Sequence, residues 1–364
     1  MKTKVLFLYT ELAGYFLSCI RALTEEHAVE VHLVRWPVNR EAPFQFAIPD
    51  GVRVYEKQVY SREQLVELSH TINPAFVFCS GWMDKEYLAV VRSFKKQIPV
   101  LVGMDNHWQG TLKQQLARVV APFTLQRLFT HAFVAGAPQK AYALKLGFKD
   151  QHILQGYYSA DVPYFQAIYK QENAVKGSVF PKRFIYVGRY VPQKGITDLW
   201  QAFIQLQEEQ PNEWELWCLG TGPLEATAAK HPKIRHIGFV QPADLPQFIS
   251  QTGVFVLPSH FEPWGVVVHE FAAAGFPLLC SNAVGAATAF LKEGVNGYNF
   301  KAGDVGALKC AIQQVVSLSE QELQQMGEKS AAFALQNTPS IWAEKLMGLL
   351  QPEPVTTSQH HPDF

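Results

Sequence analysis

The chain has 364 residues, more than one ordinary hydrophobic core accommodates, so two domains are expected. Hydrophobic residues make up 48% and charged residues 18%, the balance of an ordered globular protein. With 32 basic against 32 acidic residues the net charge is +0, which argues against a dedicated nucleic-acid binder.

The amino terminus passes from Met1-Lys2-Thr3-Lys4 into VLFLY (5–9), which is too short for a signal-peptide core. No run approaches the roughly 20 apolar residues of a membrane span. The expected location is the cytoplasm, with peripheral contact at the inner face of a membrane as an option. Cys19, Cys79, Cys218, Cys280 and Cys310 are odd in number, scattered and without a CxxC pair, so they read as buried thiols.

Residues 4–9 read as a strand, 15–26 as a helix with Phe16, Ile20 and Leu23 on one face, and 29–35 as a second strand. This is a βαβ unit, with Gly14 at the carboxyl end of its first strand. Strands follow at 52–55, 75–80 and 99–103, with helices at 62–71 and 85–94. After 99–103 come Met104, Asp105, Asn106, His107 and Trp108; Asp105 and His107 read either as functional groups at a strand exit or as a helix cap and a surface residue. The stretch 111–129 is amphipathic, carries Lys113, Arg118 and Arg127 with no acidic residue, and is interrupted at Pro122. It reads first as a helix packed on its own domain, and otherwise, over 111–130, as a contact for an anionic membrane surface. A strand at 131–136, a helix at 138–146 and a short strand at 152–157 complete this half. The periodicity then fades into a polar connector. The expected domains are 1–165 and 181–338, joined by 166–180, with a returning helix at 339–350 and a disordered tail at 351–364.

The second half repeats the alternation. RFIYVGR (183–189) is a strand, followed by a loop with Arg189 and Lys194 at its ends and a helix at 196–209. Strands at 214–219, 234–239, 253–258 and 277–281 follow, with helices at 244–251, 266–274, 305–317, 320–335 and 339–350. Both halves are therefore α/β with parallel alternation. Four strand ends carry the chemistry: Arg189–Lys194, Gly220–Gly222, Glu262 with Glu270, and Gly285. Two cations suit a diphosphate, glycines let backbone N–H groups approach it, and two carboxylates around a helix start can hold sugar or ribose hydroxyls. No DxD sequence occurs, so the cations rather than a metal would balance the diphosphate charge.

VGRYVPQKG (187–195), LGTGP (219–223), IGFV (237–240), SHFEPWGVVVHEFAAAGFPLLCS (259–281) and EGVNGYNF (293–300) together resemble the retaining glycosyltransferases of family 4. The resemblance covers 183–350 strongly and the first half weakly. It implies the GT-B fold: two Rossmann-like α/β domains facing across a cleft, with a C-terminal helix crossing back to the first. By position it makes Arg189 and Lys194 diphosphate ligands, Glu262 a ligand of the donor sugar and Glu270 of the ribose. Phe239 and Val240 would sit by the base, and Gly265, Val266 and Val267 near the diphosphate. His107 would lie near the donor sugar with Asp105 beside it on the acceptor side. The chain departs from the family at Leu12-Ala13-Gly14, where a Gly-Gly pair is usual, and in VGAATAF (284–290), which lacks a glutamate, so only Gly285 carries over. The implied activity is retaining sugar transfer, without a cofactor or metal, from a nucleotide sugar to a carbohydrate or lipid-linked acceptor. The alternatives are a nucleotide-sugar epimerase or hydrolase and a catalytically silent nucleotide-sugar-binding protein.

Overall fold

In the computed structural model, the described residues are 2–37, 47–94, 97–175 and 180–351. The first half forms a seven-stranded sheet from β1 (Lys4–Leu8), β2 (Glu30–Arg35), β3 (Val52–Glu56), β4 (Val77–Cys79), β5 (Val100–Met104), β6 (His131–Val134) and β7 (Ile153–Gln155). The second half forms a six-stranded sheet from β8 (Arg183–Val187), β9 (Glu215–Leu219), β10 (Ile234–Gly238), β11 (Val254–Leu257), β12 (Leu278–Ser281) and β13 (Gly297–Phe300). The strand orders are β3-β2-β1-β4-β5-β6-β7 and β10-β9-β8-β11-β12-β13, and every pairing is parallel. Central strands such as Val254–Leu257 are buried on both faces, as continuous apolar runs in parallel sheets require. Each sheet reverses its winding once, between β1 and β4 and between β8 and β11. Loops leaving those strands form the crevice where doubly wound sheets hold ligands.

The chain crosses between the halves after β7 and again before the last helix, Pro339–Gly348. Asn337 ties the crossings together: its Nδ2 donates to the Tyr158 carbonyl at 2.8 Å, and its carbonyl accepts the Ser159 hydroxyl at 2.6 Å. The last helix then packs on the first domain. Trp342 is fully buried, stacks on Phe7 at 6.0 Å, lies within 5.9 Å of Phe133, and donates Nε1–H to the Tyr157 carbonyl at 2.9 Å.

Several expectations are corrected. Val162–Val175, which overlaps the end of the expected first domain and most of the connector at 166–180, is helical, because Val162, Phe165 and Ile168 recur at helical spacing and bury in the second core. Strand β13 was hidden by its Gly and Asn content, which lowers strand propensity. Cys310 is exposed, whereas the other four cysteines are buried. Residues 111–129 are not one packed helix. Leu112–Val120 is a helix with no buried residue, a 3-10 turn spans Ala121–Phe123, and Ala121, Leu125 and Phe129 are buried in the core with Ala117 and Leu128 packed against it. Apart from Gln351, the tail lies outside the described residues. No described helix is long and apolar enough to cross a membrane.

Trp342→Ala removes the largest fully buried side chain of the returning helix. It is expected to lower the unfolding free energy by roughly 3–5 kcal/mol, read from urea denaturation followed by fluorescence.

Candidate active site

The site is assembled from loops at the carboxyl ends of four adjacent strands, β9, β8, β11 and β12. After β11 the chain turns back at Glu262, whose backbone is held on both sides: its N–H donates to the Ala283 carbonyl at 3.1 Å, and its carbonyl accepts the Gly285 N–H at 3.0 Å. Glu262 is 8% exposed, and its carboxylate is ion-paired with the Lys194 ammonium from the loop after β8. The chain then reaches Gly265 at φ 89°, a left-handed turn that favours glycine, where a Cβ would also stand 2.9 Å from Glu262 Cγ. That turn starts the helix Val266–Ala273.

This helix has no side-chain cap, and neither do Ile196–Glu209 after β8 or Gly14–His27 after β1. Six helices are capped by Ser61, Asp84, Thr111, Asp304, Ser319 and Thr338. An uncapped helix start beside a strand end leaves N–H groups and the positive end of the helix dipole for an anion.

The opposite wall comes from β5 and β6. Gln139 is fully buried and bridges the halves, its Nε2 donating to the Asp105 carbonyl at 2.9 Å and the Pro263 carbonyl at 2.7 Å. Trp264 packs against Gly136, where a Cβ would stand 2.5 Å from the indole. His107 lies against Phe261 with ring centroids 5.3 Å apart, and burial holds its imidazole below the usual pKa. Its Nδ1 is buried without a hydrogen-bond partner among the described residues. Asp105 does not cap the following helix, which Thr111 caps; its carboxylate accepts the Tyr158 hydroxyl at 3.3 Å.

Glu270 sits on the second turn of the uncapped helix. Burial pushes its carboxyl up to about 7, and the Asp161 carboxylate adds repulsion. Asp105 and Glu270 both hold the Tyr15 phenol in its neutral form, after burial, which acts most strongly. Next to Glu270, His269 is fully buried; burial lowers it to about 4 and keeps it neutral. It accepts the Ala160 N–H on Nδ1 at 3.0 Å, so its proton sits on Nε2 and is donated to the Ala334 carbonyl at 2.9 Å.

The structure brings Lys194, Glu262, Gly265 and Gly285 into direct contact and sets Val266 and Val267 at the helix start. Arg189 is exposed, with its carbonyl accepting the Tyr186 hydroxyl at 2.9 Å. Gly220 follows β9, its N–H donating to the Gly238 carbonyl at 2.7 Å, and Phe239 and Val240 follow β10 at the sheet edge, Phe239 being 46% exposed. Gly14 opens the helix on the facing wall. Sequence reasoning missed Gln139, Trp264, Tyr15 and Tyr158. Their importance comes from contacts across the cleft, for which a chain read in order holds no signal.

Glu270 gives the site a pH signature. In the folded protein its proton is held to about pH 7, whereas the unfolded chain releases it near the ordinary 4.5. The fold therefore binds more protons across that window, and stability falls as pH rises through it. Glu270→Gln is expected to flatten this decline, read as urea midpoints at pH 5 and pH 7.5; an unchanged slope would remove the assignment.

Residues 169–333 match the family model described as glycosyl transferases group 1. Over 143 residues the chain is 34% identical to a glycogen synthase of Mycobacterium tuberculosis, a match covering 37% of this chain and 34% of that protein. The chain thus spans about a third of the length of the curated relatives it matches first. Among solved structures it is similar to Anabaena HepE in complex with UDP-glucose, with TM-score 0.69 and 17% identity, over 95% of this chain and 99% of that one. It is also similar to sucrose-phosphate synthase from Thermosynechococcus elongatus, with TM-score 0.67 and 19% identity, over 96% and 98% of the two chains. The chain therefore has the GT-B fold, and its residues 169–333 carry the sequence pattern of the group 1 glycosyl transferases.

Proposed function

We propose that the protein is a retaining glycosyltransferase. It moves a sugar from a nucleotide-diphosphate donor to a hydroxyl of a glycan, lipid-linked or small-molecule acceptor, without a metal. The observation that carries this reading is the Lys194–Glu262 ion pair set beside the uncapped helix start at Gly265 and Val266. A cation, free amides and a carboxylate at one strand end suit a sugar bonded to a diphosphate. The group 1 pattern over 169–333 supports it.

In this reading Lys194 exchanges part of its contact with Glu262 for the diphosphate, and Arg189 adds a second cation from the same loop. Glu262 takes a donor-sugar hydroxyl, and Glu270 takes the ribose hydroxyls. The backbone of Phe239 and Val240 meets the base, Gly220 and Gly285 leave room for the nucleotide, and Gly14 faces the diphosphate from the first domain. The bond between the anomeric carbon and the diphosphate oxygen breaks, and a bond to the acceptor oxygen forms on the same face. The acceptor proton passes to the departing diphosphate, whose charge Arg189 and Lys194 stabilise. Neutral His107 and Asp105, on the facing wall, hold the donor sugar and the acceptor for this step.

Nucleotide sugars screened with and without a mixed glycan acceptor, in EDTA, test this reading through released nucleoside diphosphate. Acceptor-dependent release is expected. Donor consumption that ignores the acceptor would point to an epimerase or hydrolase, and tight nucleotide binding without turnover to a silent binding protein. Lys194→Ala should lower kcat by roughly 10²–10³-fold, and an unchanged rate would sink its role. Glu262→Gln should act mainly on kcat and Glu270→Ala mainly on donor KM; identical effects would cancel the division between sugar and ribose.

A further inference from the structure

Leu112, Leu116, Val119, Val120 and Phe123 are 84%, 66%, 67%, 41% and 67% exposed, a concentration of large apolar side chains on one short helix and the turn after it. At about 3.6 residues per turn they form one stripe pointing to solvent, with Gln114 and Ala117 behind it toward the protein. Lys113 borders the stripe, Arg118 is exposed on the far side of the helix beside Gln114, and the Arg127 guanidinium lies 6.0 Å from the Phe123 ring. Residues 106–149 contain six Lys and Arg and not one Asp or Glu; Lys140 is paired with Asp150, and Lys113, Arg118 and Arg127 are the cations nearest the stripe in sequence.

We infer that this helix seats the protein on an anionic lipid bilayer. The apolar stripe enters the boundary between headgroups and acyl chains, and the nearby cations meet the headgroups. An apolar face accompanied by cations without carboxylates complements such a surface. It does not complement a second copy of itself, because symmetric pairing would set Lys113 and Arg127 against their own counterparts. The helix is also fastened to the cleft. Gln114 Nε2 donates to the His107 carbonyl at 2.8 Å, Gln114 Oε1 accepts the Gln109 N–H at 2.7 Å, and Gln115 Nε2 donates to the Gly110 carbonyl at 2.9 Å. The loop carrying Asp105 and His107 therefore stands at the lipid surface, and an acceptor embedded in that surface meets the cleft without leaving it.

Flotation of the full chain with vesicles tests the inference independently of any sugar transfer. Equimolar phosphatidylcholine and phosphatidylglycerol vesicles should retain the protein at least about tenfold better than pure phosphatidylcholine. Leu116→Ser with Phe123→Ser should lower retention about tenfold or more. Lys113→Gln, Arg118→Gln and Arg127→Gln together should lower it roughly a hundredfold. All five side chains are exposed, so circular dichroism and the urea midpoint should stay as in the parent protein. Equal retention on both vesicle types, or retention surviving both sets of changes, would overturn the inference. So would absent vesicle binding with a dimer in ultracentrifugation that the two serine changes dissociate.

Discussion

Everything in this molecule depends on two parallel sheets being held with their strand exits facing each other. The chain meets that constraint with few groups. Gln139 bridges Asp105 and Pro263, Trp264 fills the space that Gly136 leaves open, and Asn337 binds one crossing segment to the other. Each contact sets an uncharged side chain, that of Gln139, Trp264 or Asn337, against backbone carbonyls or a glycine. Ordering the Gln139 side chain has an entropic cost, which its burial and its two hydrogen bonds offset.

The chemistry of the cleft is dominated by poorly solvated carboxylates with different partners. Glu262 is charge-balanced by Lys194, whereas Glu270 faces the repulsion of Asp161 in a buried setting. Removing an ion from water is costly, and only a partner or a proton relieves it. Lys194 relieves Glu262, and a retained proton relieves Glu270. Glu262 and Glu270, eight positions apart and on opposite sides of the helix start at Val266, thereby present different faces to a ligand.

Much of the fold was legible because central parallel strands are unbroken apolar runs, and because Gly265 and Gly275 punctuate a helix plainly. The cleft loops of the second sheet were legible for a related reason: cations, glycines and carboxylates at strand exits converge on one edge once the sheet is parallel. Where polar side chains share a helix with buried ones, as at 162–175, the periodicity is diluted and the element reads as a connector. Strand β13, rich in Gly and Asn, is held by its parallel pairing with β12 rather than by propensity. The Lys194–Glu262 pair lay beyond sequence reading for a different reason. The two loops were each placed correctly at strand ends, but adjacency of side chains depends on the strand order β8-β11, which skips the two intervening strands.

The neutral, fully buried His269 has a mechanical consequence. Its two ring nitrogens grip Ala160 on one crossing segment and Ala334 ahead of the other, and it is the residue before Glu270. Both crossings are thus riveted to the helix that carries Glu270. If the halves swing apart, those anchor points travel with the second domain, and the pivot falls beyond them, in the few residues around Tyr158, Ser159 and Asn337. Opening would then carry the loops after β8, β9, β11 and β12 as one body, with the first domain's loops sweeping past them.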